Sequence, residues 1–264
     1  MTPFLKTERH RHIVVLTMNQ PATRNVLTGN SAVEELTDAC HRIAHDRSVR
    51  AVIVTGAGPV FSTGGNLRDM LRYERERPDA DTVREEYRQG IQRLPKSLYY
   101  LDVPTIAAVN GPAIGAGLDL ATMCDIRIAA ETATFAESFV KVGLVPGDGG
   151  AWLLPRAVGM SKACEMAFTG EALGAAEALQ CGLVSRVVPA EKLLAEARSL
   201  AERIAANPSG VLRMTKRLLR EGERSSLDTL LELSASFQAH AHQTQEHFEA
   251  VNAFLEKRPP RFEE

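Results

Sequence analysis

The stretch Asn110-Gly-Pro-Ala-Ile-Gly-Ala-Gly-Leu-Asp-Leu-Ala-Thr-Met-Cys-Asp125 sets three glycines directly ahead of an apolar helical run, with the carboxylate of Asp119 one turn inside it. It follows Val103-Pro-Thr-Ile-Ala-Ala-Val109, an apolar, partly β-branched run that reads as a buried strand. The local order is therefore strand, glycine turn, helix. Free N–H groups at a helix start attract negative charge. A developing oxyanion is one such charge, and fixed donors aimed at it are among the strongest contributors to catalysis.

Outward from this segment, short β-like runs alternate with helical ones. Ile13–Met18 is followed by a helix over about Ser31 to His45, then by Ala51–Thr55 and glycines; a second cycle runs from Thr105–Val109 through the helix near Gly115 to Ile126–Ala129. The alternation predicts an α/β core. Residues 70–90 are densely charged and broken by Pro78, and read as a solvated helix pair covering something. After Gly149 the chain is mainly helical, with one late extended segment at 182–189 and a long helical run from Leu227 to Glu256. The expected organisation is a core over residues 1–206 and a helical region over 207–264.

The 264 residues are 44% hydrophobic and 24% charged, and 31 basic against 33 acidic side chains leave a net charge of −2. This balance calls for neither nucleic acid nor an anionic membrane surface as partner. Cys40, Cys124, Cys164 and Cys181 form no CxxC pair, which fits reduced thiols. No apolar run approaches the roughly 20 residues of a membrane helix, and the charged N-terminus lacks the pattern of a secretion signal. A soluble cytoplasmic protein without a metal site is expected. His41 and His45 have metal-compatible spacing but no evident third ligand.

Several ordered motifs then carry a resemblance that runs over nearly the whole chain. They are Asn25-Val-Leu27, Phe61-Ser-Thr-Gly-Gly-Asn-Leu67, Asn110 to Asp125, Gly143-Leu-Val-Pro-Gly-Asp-Gly-Gly150, Phe168-Thr-Gly170, Gly182-Leu-Val184 and Phe254-Leu-Glu-Lys-Arg258. Together they resemble the crotonase, or enoyl-CoA hydratase/isomerase, superfamily. The resemblance implies an α/β spiral of ββα units, a C-terminal helical region that mediates homotrimers or dimers of trimers, and a coenzyme A thioester as substrate, with no other cofactor. It also implies an oxyanion hole made by the backbone N–H groups of Gly65 and Ala116. Arg24 and Arg68 fall beside the coenzyme-contacting segments, and Lys257 falls where relatives place a lysine reaching the phosphates of a neighbouring subunit's ligand.

Hydratases of this family carry two glutamates that hold and activate water. Here the first position is Asp119 and the second is Phe139, which transfers no proton. Two other carboxylates are candidates to compensate. Asp148, in Pro146-Gly-Asp-Gly-Gly150, reads either as a proton carrier or as the cap of the next helix. Glu137 lies on the same side as Phe139 if that segment is extended, and reads as a charge at the pocket rim or at a subunit contact. Asn66, where the family has Asp, reads as a helix cap. The leading expectation is hydration or double-bond isomerisation of an enoyl-CoA, with Asp119 or Asp148 as proton carrier. A family hydrolase using Asp148 is a second reading, although those hydrolases have histidine at the position of Phe139. A non-catalytic acyl-CoA-binding member is the third.

Overall fold

The computed structural model describes residues 3–262. In chain order its first half contains β1 (Leu5–His10), β2 (Ile13–Met18), α1 (Ala32–His45), β3 (Ala51–Gly56), α2 (Leu67–Glu76), α3 (Ala80–Gln89), β4 (Thr105–Val109), β5 (Ala113–Ile114), α4 (Ala116–Met123), β6 (Ile126–Ala130) and β7 (Thr134–Ala136). The second half adds α5 (Gly150–Val158), α6 (Met160–Thr169), β8 (Leu173–Gly174), α7 (Ala175–Gln180), β9 (Arg186–Val188), α8 (Leu193–Ala205), α9 (Ser209–Gly222), α10 (Leu227–Ala241) and α11 (Gln245–Leu255).

The main sheet runs β1-β2-β3-β4-β6-β9, antiparallel at the β1 edge and parallel elsewhere. Its inner strands are covered on both faces, which is why IVVLTM, AVIVTG and TIAAV are nearly continuous apolar runs. Val14, Leu16, Val52, Val54, Ala107 and Val109 face the larger core with α1 and α4; Ile13, Val15, Ile53, Ile106, Ala108 and Ile128 face α8. The α8 stripe is Leu193, Ala197, Ala201 and Ala205, a four-residue repeat that lays one small face along the helix and lets it lie close on the strands. A second sheet, β5-β7-β8, is short but decides where the site forms. Ala113 pairs with Phe135 and Ile114 with Ala136, while Ser62 bridges to Ala113. These contacts bring residues 62–66, 113–119 and 135–139 together.

The helix near Gly115, the strand at 126 and the helix pair around Pro78 all form where the sequence puts them. The run from Leu227 to Glu256, read as one helical stretch, is two helices; the Thr244 side chain accepts the His247 N–H and caps the second. The segment holding Glu137 is not extended beyond Ala136, because Ser138–Val142 closes into a 3-10 turn.

A buried ion cluster fastens α9 to the core. Asp125, at the start of β6, accepts from Lys216 Nζ at 2.7 Å, Arg220 Nη2 at 2.8 Å and the Thr105 N–H at 2.8 Å, and Lys216 also donates to Val103 O at 2.9 Å. Arg213 pairs with Asp102 and donates to Ala44 O and Asp46 O, satisfying carbonyls at the end of α1. Replacing Asp125 by Ala strands two cations, one of them buried, and is expected to cost about 3–5 kcal/mol. Urea unfolding measures that loss, and hydrogen exchange should show α9 deprotected first.

Candidate active site

The loop after β3 is fixed by Asn25, a fully buried amide with no apolar role. Its Oδ1 accepts from the Gln20 N–H, its Nδ2 lies within hydrogen-bond reach of Ala57 O, Val60 O and Phe61 O, and its own carbonyl accepts from Ser62 Oγ. The chain is thereby delivered to Gly64, whose carbonyl accepts the Leu27 N–H at 2.7 Å. Because the peptide is planar and trans, that bond turns the N–H of Gly65 the opposite way. At the start of α4 the Gly115 carbonyl accepts from the Asp119 N–H at 3.0 Å, so the Ala116 N–H points out beyond the helix start. Among the described residues neither N–H is given an acceptor. The two loops meet at Gly64, where φ is +72° and a Cβ would stand 2.7 Å from Ile114 O and 2.8 Å from Ala116 N. Only glycine allows that approach.

Three carboxyl groups gather one turn inside α4. Asp119, Glu137 and Asp148 are 0%, 1% and 3% exposed. A Cβ on Gly150 would lie 2.2 Å from Asp119 Oδ1 and 2.4 Å from Glu137 Oε1, so both side chains converge on the first residue of α5. No hydrogen bond is assigned to either oxygen of Asp119, to either oxygen of Glu137 or to Oδ2 of Asp148. Asp119 lies within hydrogen-bonding reach of both other carboxyls, a contact that two carboxylates make only when one carries a proton. Burial, then the charges of Asp148 and Glu137, hold Asp119 well above the usual carboxyl range. Burial and Asp148 push Glu137 up to about 8. Asp148 is also raised by burial, opposed by its contact with Asp119 and by the backbone N–H groups of Asp148 and Gly147. Every neighbour of Asp119 in the cluster pushes it further up, whereas the rise at Asp148 is opposed by Asp119 and by backbone N–H groups.

The remaining candidates divide into two groups. Phe139 stands against the glycine turn, its ring edge 3.7 Å from where a Cβ on Gly115 would be. Arg24 and Arg68 are exposed on either side of the 63–66 loop, and Lys257 is exposed beyond α11, away from the carboxyl cluster in sequence and in packing. Glu137 is not a rim charge, since the turn after β7 carries its side chain inward. Asp148 does not cap α5, whose N-cap is Gly149 without a side-chain bond. Asn66 does cap α2, accepting from the Arg68 N–H. His41 and His45 are exposed, their rings tilted at 40° with centroids 4.4 Å apart. Among the described residues no group of three His, Cys, Asp or Glu side chains is set out to hold a metal ion, and no helix is long and apolar enough to cross a membrane.

Sequence reading missed Gly150 and Tyr87. The first is small because two carboxyls occupy its side-chain volume. The second, on α3, packs on Gly147 and has its hydroxyl pKa raised by burial and by Asp148. Gln92 donates to Gly147 O at 2.7 Å, fixing the same turn. A cavity of about 470 Å³ lined by Tyr87, Gln92, Leu144, Val145 and Gly147 adjoins it.

The profile of the enoyl-CoA hydratase/isomerase family matches residues 8–264. A probable enoyl-CoA hydratase of Rhodobacter capsulatus is 38% identical over 260 residues, covering 98% of this chain and 97% of its own. The 1,2-epoxyphenylacetyl-CoA isomerase of Escherichia coli is 35% identical over 265 residues, 99% of each chain. The crystal structure of an enoyl-CoA hydratase from Bacillus anthracis superposes with a TM-score of 0.91 at 32% identity, covering 98% of this chain and 99% of that one.

The raised Glu137 carries a stability signature. Below about 4.5 folded and unfolded chains are both protonated there; as pH rises toward 8 the unfolded chain ionises while the folded one holds its proton, so stability is lost across that window. Glu137→Gln removes this contribution. Its melting temperature is expected to exceed the wild type's by several degrees more at pH 8 than at pH 4.5, as read by calorimetry.

Proposed function

The chain belongs to the enoyl-CoA hydratase/isomerase family and is an acyl-CoA-acting enzyme of crotonase fold; on that premise we propose that its reaction is the migration of a double bond within the acyl group, by proton transfer through a thioester enolate. The thioester oxygen lies between the N–H groups of Gly65 and Ala116, whose unused donors are supported by the peptide orientations at Gly64 and Gly115. Each donor is worth on the order of 3 kcal/mol to the developing oxyanion. Asp148, as carboxylate, takes a proton from the acyl chain; the C–H electron pair passes into the enolate and its vinylogous extension. Asp119, as acid, returns a proton to the carbon two positions away, its O–H electrons staying on the carboxylate. Asp148 then passes its proton to Asp119 across their contact, and the starting state is restored with no net gain or loss.

The observation that carries this reading is Phe139 against Gly115. An apolar ring stands beside the oxyanion turn where the hydratase pattern has the second water-holding glutamate, while Asp119 and Asp148 lie within hydrogen-bonding reach of one another.

The exposed guanidiniums of Arg24 and Arg68 suit the coenzyme phosphates as charge-assisted donors. Exposed Phe254 and Leu255 beside Lys257 support a further reading, that α11 is covered by another copy and lends Lys257 to its coenzyme. A homotrimer or pair of trimers fits that arrangement.

Hex-3-enoyl-CoA incubated in deuterium oxide and, separately, in heavy-oxygen water tests the reaction. The expected product is the 2-enoyl isomer carrying solvent deuterium and no solvent oxygen. Incorporation of heavy oxygen marks hydration, and release of coenzyme A or of a shortened acyl group marks cleavage; either contradicts isomerisation. Asp119→Asn and Asp148→Asn should each lower kcat by about 10²–10⁴-fold with little change in KM. Wild-type turnover in either variant overturns its role.

A further inference from the structure

Glu137 has no place in the proton-transfer steps above, yet the fold buries it completely and aims it at one of the two carboxyls that do. We propose that Glu137 is a positioning residue of the reaction, sharing the Asp119 proton across Gly150 and so holding Asp119 in its acid form and in one orientation between turnovers. The inference rests on the reading of Asp119 as the acid.

Three observations carry it. Both Glu137 oxygens are buried and meet no amide, hydroxyl or cation among the described residues. Its Oε1 and Asp119 Oδ1 converge on the same point above Gly150, where any larger residue would drive them apart. The groups facing the pair from the surrounding elements add no positive charge: Asp148 from the turn before α5, Tyr87 from α3 behind Asp148, and the apolar Phe139 from its own turn. Among the described residues no ion pair joins Asp119, Glu137 or Asp148 to a base. Two buried carboxyls with no other donor are stable together only when one lends the other its proton. The proton on Asp119 then bonds Glu137 until the enolate carbon draws it away; the O–H bond breaks, the C–H bond forms, and Asp148 resupplies Asp119 with the proton it took from the acyl chain.

The test follows deuterium exchange and isomerisation of hex-3-enoyl-CoA as a function of pH in the wild type, Glu137→Gln and Glu137→Leu. Removing the neighbouring carboxyl lets Asp119 ionise at lower pH. The alkaline limb of kcat should therefore move down by at least one pH unit in both variants, with kcat at neutral pH reduced about tenfold and KM unchanged within twofold. A limb that stays in place with kcat within twofold of wild type overturns the inference. No exchange by the wild type at any pH overturns instead the reaction proposed above. Infrared difference spectra of the wild type against Glu137→Gln and Asp119→Asn need no turnover: protonated carboxyl absorption at neutral pH, shifted in the first variant and diminished in the second, is the expected result. Fully ionised carboxyls at neutral pH contradict the proposal even if Glu137→Leu fails to fold.

Discussion

Burying three carboxyl groups with no basic side chain among the described residues paired to them is the constraint around which the rest of this site is arranged. Ionised together, Asp119, Glu137 and Asp148 would repel one another in a medium that screens poorly, so the folded chain must retain at least one proton there. Retaining it lowers stability as pH rises, a loss that the core has to offset. The large apolar core on one face of the sheet and the α8 alanine stripe on the other supply that margin. The buried pairs of Arg213 and Lys216 serve chiefly to fix where α9 lies rather than to add net stability.

The same constraint separates two kinds of work. In the proposed reaction, charge that develops on the thioester oxygen meets backbone donors, which need no ionisation and do not titrate. The carboxyls proposed to move protons between carbons have different environments: Asp119 is enclosed, whereas Asp148 has backbone N–H groups turned toward it. Both parts of the proposal fall on α4, whose first N–H is free of an acceptor among the described residues and whose first turn carries Asp119. Gly64, Gly115 and Gly150 are the close approaches that bring the parts into one place.

Much of this is legible in the residues. The parallel strands announce themselves as apolar runs, and the order strand, glycine turn, helix from Val103 to Met123 is visible because glycine and proline punctuate it. Motif order makes the family readable. What is not readable depends on contacts distant in sequence. Glu137 looks like a surface charge because glutamate usually is one; only the two-residue pairings of β5 with β7, too short to carry a periodic signal, turn it inward. Gly150 looks like a turn glycine and is instead the space into which two carboxyls fit. Asp148 has the composition of a helix cap, and the cap falls one residue later. The packing of α9 is similarly hidden, since nothing local in the sequence sets Lys216 and Arg220 against Asp125.

A neutron structure of the protein with hexanoyl-CoA bound, at neutral acidity in deuterium oxide, would locate the deuterons of the carboxyl cluster directly. It should show a deuteron on Asp119 directed at Glu137, none on Asp148, and the thioester oxygen between the amide deuterons of Gly65 and Ala116. An undeuterated Asp119, or a thioester oxygen bound elsewhere, would contradict that arrangement.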